Sequence, residues 1–205
     1  MSGVMAITGT PETAPLRAGY PVADTTGGIT AAFAIAAALF DRARGGGGRF
    51  VDVSMLAATL VTLGWPVSNY LTADVLARPM GNDNMTAAPS GAFRAQDKPV
   101  NIAANKQEQF EALCDAIGRG DLARDPRFAE REARKQHRAA LTAEIETALA
   151  AATADHWVAL FNARGIPCGP VLGLPEAIAL AEAQTGDLLH EFQTMPDGEA
   201  RRLRV

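Results

Sequence analysis

Asp24 is the one carboxylate whose sequence context suggests covalent chemistry. It sits in the stretch GYPVADTTGGITAAFAIAAALFDRAR, residues 19–44. A carboxylate at the positive end of an apolar helix is kept ionised by the helix dipole. In a water-poor pocket such a carboxylate is nucleophilic. Thr25 and Thr26, which follow, offer backbone N–H groups that could hold a tetrahedral oxyanion. An Asp ahead of an apolar run is also an ordinary helix N-cap, and Thr25 and Thr26 are caps of the same kind. One oxygen can cap while the other reacts, so the pattern leaves both roles open. Gly81, Asn82, Asp83 and Asn84 form a second cluster, able to hydrogen-bond a substrate or simply to make a polar surface turn.

Other chemistries lack their residues. His137, His156 and His190 are scattered with no partner at ligand spacing, so no metal site is expected. Cys114 and Cys168 are too few and too far apart for a disulfide framework or a zinc site, which fits a reducing cytoplasm. There is no Gly-x-Ser-x-Gly, and no G-x-G-x-x-G follows a strand. The run Gly45 to Gly48 closes a helix instead of opening one, and no Lys-Ser/Thr follows it, which argues against a phosphate loop.

The elements that would position these residues follow from pattern. Residues 1–20 read as loop, and residues 25–44 as an Ala-rich helix ended by the glycine run. RFVDV, residues 49–53, alternates as a strand. Ser54 caps a helix over residues 55–75, kinked at Gly64 and Pro66. The polar run 78–89 marks a boundary and a loop. Residues 91–95 and 100–103 make a hairpin, and 108–117 a helix with Phe110, Leu113 and Ile117 on one face. Residues 121–128 are loop. Residues 130–150 form a long helix whose Glu132, Arg134, Lys135 and Arg138 make a solvated face. Thr153 caps the next helix. Residues 165–172 are a strand, 175–183 a short helix, and 190–205 two strands around a turn at Asp197 and Gly198.

The chain has 205 residues, 48% of them hydrophobic and 20% charged, with a formal charge of −4. That is enough chain for a sizeable core, in one domain or two. The acidic balance without a Lys/Arg block argues against nucleic-acid binding. The longest uncharged apolar stretch, residues 29–40, is too short to span a bilayer. Met1 to Thr10 lacks the basic start of a secretory signal.

Several linked motifs, in order along nearly the whole chain, resemble the class III coenzyme A transferases, the group that includes formyl-CoA transferase and carnitine CoA-transferase. They are MSGVMAITGTPETAPLRAGYPVADTTGG, AAALFDRARGGGGRFVDVSMLAA, RPMGNDNMTAAPSGAFRAQD, IAANKQEQFEALCDAIG, DPRFAEREARKQHRAAL and GIPCGPV. The resemblance implies an α/β fold. Residues 1–55 would be a remnant of a large Rossmann-like domain bearing the catalytic Asp24, and 56–80 a linker helix. Residues 81–175 would be a small α+β domain, and 176–205 the start of a return to the large domain. It implies that Asp24 attacks an acyl-CoA thioester, passing through an aspartyl anhydride and an aspartyl-CoA thioester before CoA reaches an acceptor carboxylate. The family's glycine-containing covering loop corresponds to residues 81–88, which hold far fewer glycines here. No metal or resident cofactor is implied, because CoA is a substrate. Family members form interlocked homodimers, and this chain lacks the N-terminal half, so a partner supplying that half is implied. The related α-methylacyl-CoA racemases keep an Asp at the Asp24 position and a Glu near position 107, where this chain has Gln107. An inert assembly piece is the alternative of another class.

Overall fold

A computed structural model describes residues 2–185, 190–193 and 200–203, the last two segments and residue 185 as backbone. The chain divides into two units, Met1–Met85 and Thr86–Val205.

In the first unit a 3₁₀ turn, Val4–Ile7, leads through a loop into α1 (Val22–Ala43). α1 starts earlier than the pattern implied. Pro21 takes the N-cap position, where its missing N–H costs nothing, and its carbonyl accepts the Thr25 N–H at 2.9 Å. Asp24 is therefore a first-turn residue and not the cap. Thr26 is no cap either, since its hydroxyl donates to the Val22 carbonyl at 2.6 Å. The helix ends at the glycine run as expected, with Gly45 at φ 95° and its N–H on the Arg42 carbonyl. Asp41 accepts from Arg49 across that turn at 2.8 Å.

RFVDV is not a strand. A ladder requires a neighbouring strand, and among the described residues none pairs with it. Phe50 within it is 95% exposed. Ser54 does cap the following helix, accepting from the Ala57 N–H at 3.2 Å. The expected kinked helix is two helices, α2 (Met55–Thr62) and α3 (Trp65–Ala73), separated by Gly64 at φ 53°. α1 packs on α2 through Gly27, where an added Cβ would lie 3.2 Å from the Met55 Cγ. Only Gly27, Ala58 and Thr59 are buried in residues 2–85.

The second unit closes a core. β1 (Ser90–Arg94), β2 (Pro99–Ala103) and β3 (Cys168–Pro170) form an antiparallel sheet in that order, with Phe93 opposite Val100 and Ile102 opposite Cys168. α4 (Gln107–Ala116) buries Phe110, Leu113 and Cys114, as its apolar spacing required. The loop after it holds a 3₁₀ turn, Leu122–Arg124, with Leu122 buried. The long helix expected over 130–150 is broken at His137 into α5 (Arg131–Gln136) and α6 (Arg138–Leu149). Its charged face is not all solvated, because Arg134 is 1% exposed. α7 (Ala154–Ala163) is capped from a distance. The Asp97 carboxylate accepts the Ala154 N–H at 2.7 Å, and Thr153 makes no side-chain cap. Trp157 donates to the Leu149 carbonyl at 2.8 Å and stacks on Phe161. α8 (Leu174–Thr185) follows. β4 (His190–Gln193) and β5 (Ala200–Leu203) then pair antiparallel, and the turn expected at Asp197 and Gly198 lies outside the described residues.

Candidate functional site

An α-helix leaves its first N–H groups without intrahelical acceptors. In α1 the Val22 N–H turns back to the Tyr20 carbonyl at 2.8 Å. The next two amides, of Ala23 and Asp24, occupy the remaining positions without an intrahelical acceptor. The Thr25 amide is committed to Pro21, so the donors nearest the helix opening lie one turn-step earlier than Thr25 and Thr26. Asp24 is exposed, and its carboxylate makes no hydrogen bond or ion pair with the described residues. The helix thus presents a bare carboxylate beside unused donors, on a backbone that Gly27 lets approach α2 closely.

The second cluster lies in the same unit. Gly81 has φ 61°, and its N–H donates to the Gly9 carbonyl at 2.6 Å. A Cβ there would lie 3.1 Å from the Thr10 methyl, so glycine serves both the turn and the close approach. The Asp83 N–H donates to the Met80 carbonyl at 3.1 Å. Asn82 and Asp83 are exposed and Asn84 is half-buried. Beside this loop is an open cavity of about 650 Å³ lined by Asp74, Val75, Leu76, Ala77, Arg78, Met80 and Met85. Its walls are mostly apolar, with Asp74 and Arg78 as the charged residues. Another cavity, of about 280 Å³, runs along α1 between Ile35, Leu39 and Arg49. Asp24 lines neither of them and is exposed, so the water-poor pocket expected around it is not built by the described residues.

The thiols are unsuited to nucleophilic work. Burial pushes Cys114 up to about 12 and Cys168 up to about 11, which leaves both protonated at neutral pH. The His137 Nδ1 lies 3.0 Å from the Ala133 carbonyl, at the helix break. His156 sits edge-on to Trp157. Among the described residues, no three His, Cys, Asp or Glu side chains converge as metal ligands would. Gln107 is held at both ends, its Oε1 by Arg134 at 2.9 Å and its Nε2 by Glu111 at 3.0 Å.

Sequence reasoning did not find the Gly9 carbonyl that holds Gly81, nor Arg78 at the cavity rim. A backbone acceptor 72 positions away leaves no signal in residue type, as the Gly81-to-Gly9 bond illustrates. Arg78 lies within the run RPMGN, where its charge alone was unremarkable.

The model of CoA-transferase family III matches residues 1–205. An acetyl-CoA:oxalate CoA-transferase of Acetobacter aceti is 38% identical over 92% of this chain and 49% of its own length. A mouse succinyl-CoA:glutarate CoA-transferase is 30% identical over 94% of this chain and 44% of its own. Among solved structures, a CAIB/BAIF family protein from Brucella suis superposes with a TM-score of 0.80 at 29% identity, covering 98% of this chain and 55% of that one. The Rv3272 protein of Mycobacterium tuberculosis gives a TM-score of 0.82 at 29% identity, covering 100% of this chain and 53% of that one. The chain spans about half the length of the curated relatives it matches.

Proposed function

This chain belongs to CoA-transferase family III, and from that premise we propose that it carries the acylated carboxylate of an enzyme moving CoA from an acyl-CoA to a carboxylic acid. The observation that carries the reading is Asp24, exposed and unpaired in the first turn of α1. An Asp24 oxygen attacks the thioester carbonyl, the C–S bond breaks, and CoA leaves as thiolate. The thiolate attacks the Asp24 carbonyl of the resulting anhydride, expels the donor acid and leaves an aspartyl-CoA thioester. The acceptor carboxylate attacks that thioester and releases CoA thiolate again. The thiolate then takes the acceptor's acyl group and frees Asp24.

Developing oxyanion charge in these steps lies over the N-terminus of α1, where the Ala23 and Asp24 amides and the helix dipole favour it. An anhydride must be kept from water, and of the expected covering loop 81–88 only residues 81–85, with Gly81, Asn82, Asp83 and Asn84, are assigned as the substrate loop, because Ala87 and Ala88 are buried. Short dicarboxylates are proposed as acids on both sides, in keeping with the oxalate and glutarate in the relatives' names. The reading needs no resident cofactor, and two free cysteines accord with a cytoplasmic setting. Against the racemase alternative, the position of that family's acid holds Gln107, which is neutral and already engaged, and the acid Glu108 stands one residue off, exposed on α4.

The apolar side of α1 supports a polypeptide partner for this unit. Ile29, Phe33 and Phe40 are each more than 60% exposed. By length and composition alone the 22-residue helix would also cross a bilayer, being longer than the apolar stretch 29–40 on its own. We assign its cover to protein, in an interlocked homodimer or with a chain supplying the other half. The reason is that α1 already packs on α2 through Gly27 and holds an exposed carboxylate in its first turn.

The test is incubation with succinyl-CoA in the presence of the complementary half, then hydroxylamine trapping and peptide mass analysis. The expected outcome is a hydroxamate at Asp24, absent in Asp24→Asn. An unmodified Asp24 under those conditions overturns the proposal.

A further inference from the structure

Residues 86–89 run directly after the proposed substrate loop, and their four carbonyls are all taken by groups far away in sequence. Arg131 Nη2 donates to the Thr86 carbonyl at 2.9 Å, Arg138 Nη1 to Ala87 at 3.0 Å, and Arg134 Nε to Ala88 at 2.9 Å. The Ala104 N–H donates to Pro89 at 3.1 Å. Ala87 and Ala88 are each 1% exposed, so an irregular segment is buried here and its carbonyls must be paired. The three arginines lie at i, i+3 and i+7, one ridge that continues across the break at His137.

Arg134 is the centre of this arrangement. Its Nη1 also donates to Phe128 at 2.9 Å, to Ala129 at 3.1 Å and to the Gln107 side chain at 2.9 Å. Its guanidinium lies 4.3 Å from the centre of the Phe110 ring. Every one of these hydrogen-bond acceptors is a neutral oxygen. A buried cation of this kind is a costly way to gain stability, and a well-packed apolar side chain is often as good. A planar fork of donors instead fixes where several chain segments lie with respect to one another.

We infer that Arg131, Arg134 and Arg138 are positioning residues that clamp residues 86–88, the C-terminal foot of the substrate loop, and so give the loop a fixed hinge. The opposite foot is held by the Gly81 N–H on the Gly9 carbonyl. The inference rests on the assignment of residues 81–85 as the loop that shields the acyl intermediate.

Hydrogen exchange read by mass spectrometry on the whole 205-residue chain tests it. The deciding variant is Arg131→Ala with Arg138→Ala, which leaves the buried Arg134 in place. Exchange across residues 81–88 should rise about tenfold, the loss of two modest hydrogen bonds, while α4 and α7 stay as protected as before. Arg134→Lys, which keeps the charge and loses the fork, should shift the same peptides. In the enzyme completed with its other half, the double variant should hydrolyse more acyl-CoA per transfer, with KM for acyl-CoA unchanged. Unchanged exchange at 81–88 overturns the inference, as does a loss of protection spread evenly over the second unit or an unaltered ratio of hydrolysis to transfer. If wild-type Asp24 is never acylated, the proposed function falls, whereas the exchange result still decides the clamp.

Discussion

The two units treat their apolar residues in opposite ways. In the second unit the large hydrophobics of residues 86–170 point inward: Phe93, Phe110, Phe128, Leu141, Ile145 and Phe161 are all at 2% exposure or less, while Leu174 on α8 is exposed. In Met1–Met85 they point outward, with Phe33 at 77%, Leu71 at 75% and Phe50 at 95%. The second unit has a sheet whose face helices can cover. The first has helices alone, with a potential strand that finds no ladder. Apolar surface of that extent is the ground on which a polypeptide partner is proposed for this unit. Apolar residues therefore build a closed core in the second unit and leave an open apolar surface in the first.

The largest effects should come from probing that contrast directly. Phe161→Ala should destabilise the second unit by about 3–5 kcal/mol in urea unfolding, through lost burial and a cavity. Phe33→Ala should change the same measurement by less than about 0.5 kcal/mol, because its ring is already in water. Equal losses would break the comparison. With the complementary half present the order should reverse in a binding titration. Phe33→Asp should weaken association about 30-fold, or about 2 kcal/mol, as loss of a central aromatic anchor does. Binding unaffected by this change would mean that α1 faces something other than that half.

Smaller effects sharpen the picture. Gly81→Ala should cost about 1 kcal/mol, since its φ of 61° suits glycine and the added methyl meets Thr10. A gain in stability would show that the loop relaxes freely. The second unit should also be the acid-sensitive one. The Ala154 N–H holds the Asp97 carboxyl below its ordinary value. Burial raises Glu146, but the side-chain and backbone hydrogen bonds from Arg94 outweigh it and leave that carboxyl lowered as well. Folded values below unfolded ones mean that this stability is complete above about pH 5 and is lost as pH falls through the depressed values. Unfolding midpoints at neutral and acid pH should therefore diverge less in Asp97→Asn than in wild type. An identical divergence would remove Asp97 from the account.

Much of the second unit was legible because its signals are local. The spacing of Phe110 and Leu113 defined the buried face of α4, and the polar break between residues 95 and 99 defined the hairpin. Where the reading failed, a distant partner had intervened. Thr153 looked like a cap, but Asp97 supplies the bond from 57 positions away. Arg134 has the sequence context of a solvated residue, but two loops and the first residue of α4 supply acceptors to its guanidinium. RFVDV alternated like a strand, and alternation says which faces a strand would have without saying that a neighbour exists.

The same division holds for the candidate site. Residue types and order alone determined the motif set, the apolar helix that follows Asp24, the glycine stop and the family resemblance. All of these are properties of neighbouring residues, and helix capping and periodicity act within a few positions. The structure moved the helix start to Pro21, whose carbonyl takes the Thr25 amide within the same turn. It also decided that Gly81 leans on Gly9 and that three arginines hold residues 86–88. Those facts rest on hydrogen bonds and close approaches, several of them between residues far apart in the chain, and no residue type announces its partner there.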